Sequence, residues 1–204
     1  MQVLVFPSPD DLARGAARRI AKLIRASAGD TVSIAMAGGS TPAATYAALK
    51  GEEVPWERVY AWVGDERFVA PDHPDNNGSM IRDSILADTD ATFAPVPWNE
   101  DWTAAQAAAE YQRTLLGVLD HDADGPRPDI MLMGMGGDGH TLSLFPDTPA
   151  LDIRDRWFAE NWVEQLDTWR LTATFPLAWR SRHVIFLVAG EGKAVALADA
   201  LEPD

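Results

Sequence analysis

The residue types best suited to chemistry stand together in the run Gly134, Met135, Gly136, Gly137, Asp138, Gly139, His140, Thr141. Four glycines let backbone amides come close to a ligand, and an imidazole at His140 can exchange protons near neutral pH. A lone histidine is more often structural. This one follows a strand-like run, Asp129 to Met133, on a loop whose glycine density packing alone does not explain, so a catalytic role is the stronger expectation. His73, His121 and His183 lack such a setting and read as surface or packing residues.

Gly134, Gly136 and Gly139 also match the dinucleotide-binding pattern GxGxxG. That pattern should open a long helix, which Pro146 and Pro149 would cut short, and the segment Trp157 to Val163 around Glu160 makes no convincing second strand. Nucleotide binding is therefore a minor alternative. A P-loop is excluded, because Gly190, Glu191, Gly192, Lys193 lacks the earlier glycine and the following Ser or Thr.

Three further groups follow strand-like runs. After Thr31 to Met36 come Gly38, Gly39, Ser40, Thr41 and Pro42: a tight turn, a Ser or Thr cap and a proline at a helix start. Free amides and the positive end of the helix dipole there suit a phosphate monoester, or else the helix is simply well capped. After Val59 to Val63 come Asp65, Glu66 and Arg67; Arg67 could fork onto phosphate, while the triplet by itself favours a salt bridge or solvated turn. Lys193 follows the apolar run Val184 to Ala189 and could neutralise a phosphate.

These groups need a scaffold, and the remaining sequence supplies one. Val3 to Phe6 reads as a strand, followed by a helix opened by Ser8, Pro9 and Asp10 with Leu12, Ala16, Ile20, Leu23 and Ile24 on one face. Helices are expected after the Gly-Gly turn through Leu49, over about Ser79 to Leu86, about Thr103 to Leu119, and Gly192 to Leu201. Gly64 to Asn77 reads as a loop, Asp122 to Pro128 as a turn, Leu171 to Phe175 as a possible strand, and Val184 to Ala189 as a buried one. Such alternation implies an α/β fold with a mostly parallel sheet, and ligands in these folds bind beyond the carboxyl ends of the strands.

At 204 residues, with 47% hydrophobic and 24% charged residues, one domain over 1–204 is expected. A net charge of −14 disfavours general nucleic-acid binding, so an anionic partner must be small and locally captured. No cysteine means no disulfide, thiolate metal site or catalytic thiol. Without a signal-like N-terminus or an apolar run of membrane-spanning length, a cytoplasmic protein with no membrane partner is expected.

Taken in order, AGGSTPAATYAAL (37–49), WVGDERFVAPDHPDNN (62–77), GMGGDGHTLSLFPDTPAL (134–151) and RLTATFPLAWRSRHVIFLVAGEGKA (170–194) resemble the 6-phosphogluconolactonase family, within the superfamily of glucosamine-6-phosphate deaminase and ribose-5-phosphate isomerase. Deaminase-like chains carry Asn-Glu where Leu144 and Phe145 stand and Tyr where Arg67 stands, so the lactonase pattern fits better. Gly64 is an insertion relative to that pattern, Asn76 replaces a usual Ser, and the chain ends soon after the Lys193 helix, where relatives continue.

The resemblance implies a Rossmann-like three-layer α/β/α sandwich and hydrolysis of 6-phospho-D-glucono-1,5-lactone without cofactor or metal. His140 would be the general base and amides of the loop Gly136 to Gly139, with Gly136 and Gly137 among the substrate-binding residues, would face the oxyanion. Asp65 would orient water or a sugar hydroxyl, and Asp138 would assist or shape the loop. Gly38, Gly39, Ser40, Thr41, Arg67, Arg170 and Lys193 are the phosphate candidates. The alternatives are a sugar-phosphate deaminase or isomerase, revealed by turnover of an amino-sugar phosphate, and a non-catalytic sugar-phosphate binder. A monomer or small homo-oligomer is expected.

Overall fold

Ser8 opens the first helix as its position predicts: the Asp11 amide donates to the Ser8 hydroxyl at 3.1 Å, and Pro9 takes the first turn, where no amide donor is needed. In the computed structural model, which describes residues 1–202, this helix α1 spans Pro9–Ala26. It is followed by β1 (Val32–Met36), α2 (Ser40–Leu49), β2 (Val59–Val63), β3 (Asp65–Arg67), α3 (Asn77–Ile81), β4 (Thr92–Ala94) and α4 (Ala104–Val118). Then come β5 (His121–Asp122), β6 (Gly125–Pro126), β7 (Ile130–Met133), β8 (Phe158–Val163), β9 (Thr168–Ala173), α5 (Phe175–Arg180), β10 (His183–Phe186) and α6 (Ala194–Leu201).

A five-stranded sheet, ordered β10-β7-β1-β2-β4 and parallel throughout, forms the middle layer. Successive side chains on a strand point to opposite faces, so each central strand feeds two cores. Ile34, Met36, Ala61, Val63, Ile130 and Leu132 pack with Ile20 and Ile24 of α1, Tyr46 of α2 and Ile81 of α3. On the other face Ala35, Trp62, Met131 and Met133 pack with Tyr111 of α4, Phe158, Leu171 and Leu177. That second face is covered by α4 together with a three-stranded antiparallel sheet, β3-β9-β8.

Two buried tyrosines tie helices to the carboxyl edge of the parallel sheet. Tyr46 donates to the Ala37 carbonyl at 2.8 Å and accepts from the Ala37 amide at 2.9 Å, which pins the chain where it leaves β1. Tyr111 accepts from the Val63 amide at 2.8 Å and donates to the Ala94 carbonyl at 2.7 Å, which pins the end of β2. Each hydroxyl offers one donor and its acceptor lone pairs, and both capacities are used, as burial demands.

Several expectations need correction. Val3 to Phe6 forms no strand: Val3, Leu4 and Val5 are exposed and pair with no strand among the described residues, so β-propensity without a ladder partner does not suffice. Gly64 to Asn77 is not all loop, because β3 lies within it, and Trp157 to Val163 contains β8. Both strands are antiparallel and short of the apolar runs that parallel strands show. β4 lies between the helices expected to end near Leu86 and to begin near Thr103, where no strand is expected, β9 begins at Thr168, and Phe175 opens α5 with a proline in its first turn. The run Val184 to Ala189 is buried only at Leu187: β10 is an edge strand, with Val184 and Phe186 exposed.

Candidate active site

The glycine-rich loop leaves β7 and folds back on itself. The Gly136 amide donates to the His140 carbonyl at 2.7 Å, the Gly139 amide to the Gly136 carbonyl at 3.2 Å, and Thr141 Oγ1 to the Gly134 carbonyl at 2.9 Å. No helix follows, so the dinucleotide reading of GxGxxG lacks the helix it needs. Across this turn His140 Nδ1 lies 2.6 Å from Asp138 Oδ1, and the His140 amide donates to the same oxygen at 3.2 Å. Partial burial pushes the Asp138 carboxyl up, but the amide and imidazole of His140 outweigh it and hold the group below its ordinary value. An ionised carboxylate only accepts, so Nδ1 carries the imidazole proton and Nε2 is left with its lone pair.

Gly136 is required by that pair. A Cβ there would lie 2.1 Å from His140 Nδ1 and 2.3 Å from Asp138 Oδ1, so the hydrogen-bonded pair rests directly on the backbone. The ring of Phe145 stacks on His140 with centroids 3.9 Å apart, which fixes the plane of the imidazole.

β3 crosses from the end of β2 into the antiparallel sheet, and its two-residue period separates the acidic pair. Asp65 and Arg67 lie on one face, in register with Thr172 and Arg170 of β9, whose neighbours on β8 are Ala159 and Asn161. Glu66 lies on the other face, buried, and accepts from the amides of Arg67 at 2.8 Å, Asn77 at 2.7 Å and Gly78 at 2.8 Å. It therefore anchors the start of α3. Among the described residues Asp65 and Arg67 form no ion pair, contrary to what the triplet alone favoured.

Burial pushes the Asp65 carboxyl up, against the Ser143 hydroxyl and the charges of Arg67, Arg170 and His140, which pull it down. Ser143 Oγ donates to Asp65 Oδ2 at 2.7 Å. Burial, then the neighbouring charge of Arg67, pulls Arg170 down, and its buried Nε has no partner among the described residues. Two adjacent guanidiniums, one with an unused donor, are suited to receive an anion.

Arg67 and the first residues of α2 meet at one cavity of about 310 Å³, lined by Gly39, Ser40, Asp75, Asn76, Asn77 and Met80. Arg67 donates to Asn77 Oδ1 and to the Asp75 carbonyl, and Asn77 Nδ2 donates to the Asp65 carbonyl at 2.8 Å. A Cβ on Gly38 would lie 1.9 Å from Asn77 Oδ1, so that glycine makes room for the residue joining β3 to the α2 turn. Neither Ser40 nor Thr41 caps α2 through its side chain. Gly39 holds the cap position with φ +101°, leaving the first-turn amides turned outward. Lys193 closes the short 3₁₀ turn Glu191–Lys193, which runs beside the glycine loop: a Cβ on Gly137 would lie 3.0 Å from the Gly192 carbonyl.

The structure thus gathers Asp65, Arg67, Arg170, Asp138 and His140 at the carboxyl edge of the sheet, with Gly38 to Thr41 and Lys193 on its rim. Sequence reasoning missed Asn77 and Ser143, polar residues whose partners lie ten or more positions away. His73, His121 and His183 are exposed and stand apart. A larger cavity, about 450 Å³, opens at the opposite sheet end, but its Arg182 is already paired with Asp120 and Asp129. Among the described residues no cluster of three or more His, Asp or Glu could hold a metal ion.

Comparison with known proteins gives a consistent picture. The family model described as glucosamine-6-phosphate isomerases/6-phosphogluconolactonase matches residues 7–204. The chain is 41% identical over 179 residues to a 6-phosphogluconolactonase of Synechocystis sp., covering 84% of this chain and 72% of that one. It is 30% identical to the 6-phosphogluconolactonase of Mycobacterium tuberculosis, covering 97% and 84%. The 6-phosphogluconolactonase structure from Trypanosoma brucei superposes with a TM-score of 0.89 at 28% identity, over 98% of this chain and 86% of that one. A monomeric glucosamine-6-phosphate deaminase shares the fold, with a TM-score of 0.83 at 21% identity over 100% and 88%.

Proposed function

Because the chain belongs to the glucosamine-6-phosphate isomerase/6-phosphogluconolactonase family, we propose that it hydrolyses 6-phospho-D-glucono-1,5-lactone to 6-phospho-D-gluconate, a step of the oxidative pentose phosphate pathway. The observation that carries this reading over a deaminase is the surroundings of His140. One face of the imidazole is stacked on Phe145, where a deaminase-like chain has an acid, and its Nδ1 is held by Asp138.

In this mechanism Asp138 holds the tautomer that leaves His140 Nε2 as the base. Nε2 takes a proton from water as the water oxygen bonds to the lactone carbonyl carbon. The tetrahedral oxyanion then collapses, the bond from that carbon to the ring oxygen breaks, and the imidazolium returns the proton to the ring oxygen. The amides of Gly136 and Gly139 are taken up within the loop, so Gly137 and Asp138 are the amides left to face the oxyanion. Asp65 orients the water or a ring hydroxyl. Arg67, Arg170, the α2 turn and Lys193 hold the phosphate at the far end of the substrate, which sets the carbonyl against His140.

The absence of cysteine and a phosphorylated substrate favour the cytoplasm as its compartment. The test is hydrolysis of lactone generated in situ from glucose 6-phosphate, measured above the spontaneous rate for wild type and His140→Ala. The wild type should accelerate opening and the variant should lose roughly 10²- to 10⁴-fold. Wild-type rates equal to the blank would sink the lactonase reading. Binding of 6-phosphogluconate without turnover would point to a sensor, and ammonia release from glucosamine 6-phosphate to a deaminase.

A further inference from the structure

Ser143 lies within the apolar run Leu142, Ser143, Leu144, Phe145 and is itself 1% exposed, a position where a hydroxyl is unfavourable unless bonded. All three of its polar groups are committed to the antiparallel sheet. Its Oγ donates to Asp65 Oδ2 at 2.7 Å, its amide donates to Thr172 Oγ1 at 3.2 Å, and its carbonyl accepts from Asn161 Nδ2 at 2.9 Å. Thr172 is the residue paired with Asp65 across β3 and β9, and Asn161, 2% exposed, also donates to Thr148 Oγ1 at 2.9 Å. Leu142, just before it, has φ +54°, a left-handed conformation that a non-glycine residue keeps only where its surroundings over-determine it. Oδ1 of Asp65 accepts no hydrogen bond among the described residues, so Ser143 occupies one carboxylate oxygen and leaves the other open to the site.

We propose that Ser143 is a positioning residue of this active site, holding the Asp65 carboxylate for the substrate, with Asn161 and Thr172 holding Ser143 in turn. The proposal rests on the lactonase reading for its kinetic consequence and on geometry alone for the coupling between Ser143 and Asp65. The groups acting on Asp65 are Arg67 on its own strand, Arg170 on β9, His140 on the glycine loop, the adjacent Glu66, and Tyr46 from α2. Ser143 is the neutral donor among them, and its bond favours the ionised form. Removing it raises the Asp65 pKa further, so the acid limb of the pH–rate profile moves to higher pH.

The experiment compares wild type, Ser143→Ala and Ser143→Cys for kcat and KM across pH, for thermal melting, and for titration of the Asp65 carboxyl by carbon NMR, with Asp65→Asn to assign the signal. Ser143→Ala should lose roughly tenfold in kcat, as expected for one hydrogen bond, with KM changed less than about twofold and the acid limb displaced upward. Ser143→Cys, a weak donor of similar size, should fall between the two and serves as the probe if the alanine variant does not fold. An Asp65 titration that does not move in a folded variant overturns the proposal, as does a rate loss with an unmoved acid limb and a lowered melting temperature, which would make Ser143 a loop anchor only. If the wild type shows no hydrolysis above the blank, the lactonase reading fails, while the NMR titration still decides whether Ser143 acts on Asp65.

Discussion

At the scale of single residues, the triplet Asp65, Glu66, Arg67 shows how strand alternation divides labour. Two members face the site, while Glu66 turns away and binds three backbone amides. Burial pushes the Glu66 carboxyl up to about 7, against those amides, which pull it down. A carboxyl raised in the folded state contributes stability that is complete below its unfolded value of 4.5 and is lost as pH rises through about 7. Glu66→Gln lacks this titration and turns an amide group toward backbone donors, so it should be destabilised by about 1–3 kcal/mol. Chemical unfolding at pH 5 and pH 7.5 checks both points: the gap to wild type should be larger at pH 5. A gap independent of pH would remove Glu66 as the titrating group.

At the scale of elements, the proposed mechanism depends on the loop after β7 bringing Asp138 and His140 together over bare backbone. Gly136→Ala would place a methyl group within 2.1 Å of His140 Nδ1, and the methyl cannot be accommodated unless the pair moves. The loop is otherwise half-buried to exposed, with Gly137 to Gly139 at the surface, so the fold should survive. The expected outcome is a rate loss approaching that of His140→Ala, with a melting temperature within a few degrees of wild type. Retained activity would mean that the Asp138–His140 hydrogen bond is not the working geometry. The same scale accounts for Tyr46 and Tyr111, which fix the ends of β1 and β2 so that the turns beyond them are set by helices on opposite faces of the sheet.

At the scale of the whole molecule, a chain of net charge −14 must capture an anion locally, and Arg67 beside Arg170 concentrates positive charge where two layers meet. Saturating 6-phosphogluconate should stabilise the fold: at about 100 times Kd the gain is about 2.7 kcal/mol, a rise in Tm of roughly 5–10 °C for a protein of this size. Replacing both arginines by alanine should abolish most of that shift and raise KM far more than it lowers kcat. A shift that survives the double replacement, read by differential scanning calorimetry, would move the phosphate site elsewhere. Among the described residues, no helix is long and apolar enough to cross a membrane.

The sequence by itself determined the parallel core, the motifs at its carboxyl edge and the lactonase resemblance. Apolar runs of strand length, capping residues such as Ser8, and glycines beside His140 are local signals that survive without knowledge of the fold. Only the tertiary structure decided which residues work together. β3 carries no apolar residue and the apolar run of β8 is broken by Glu160 and Asn161, so neither announces itself; their stability comes from β9 between them and from α4 packed behind. With those strands unseen, the triplet looked like a salt-bridged turn, and Ser143 and Asn77 looked like ordinary polar residues. Their partners stand 78 and 10 positions away, a separation that neither periodicity nor spacing encodes and that only the packing of the loop after β7 and the start of α3 against β3 brings to hydrogen-bond distance.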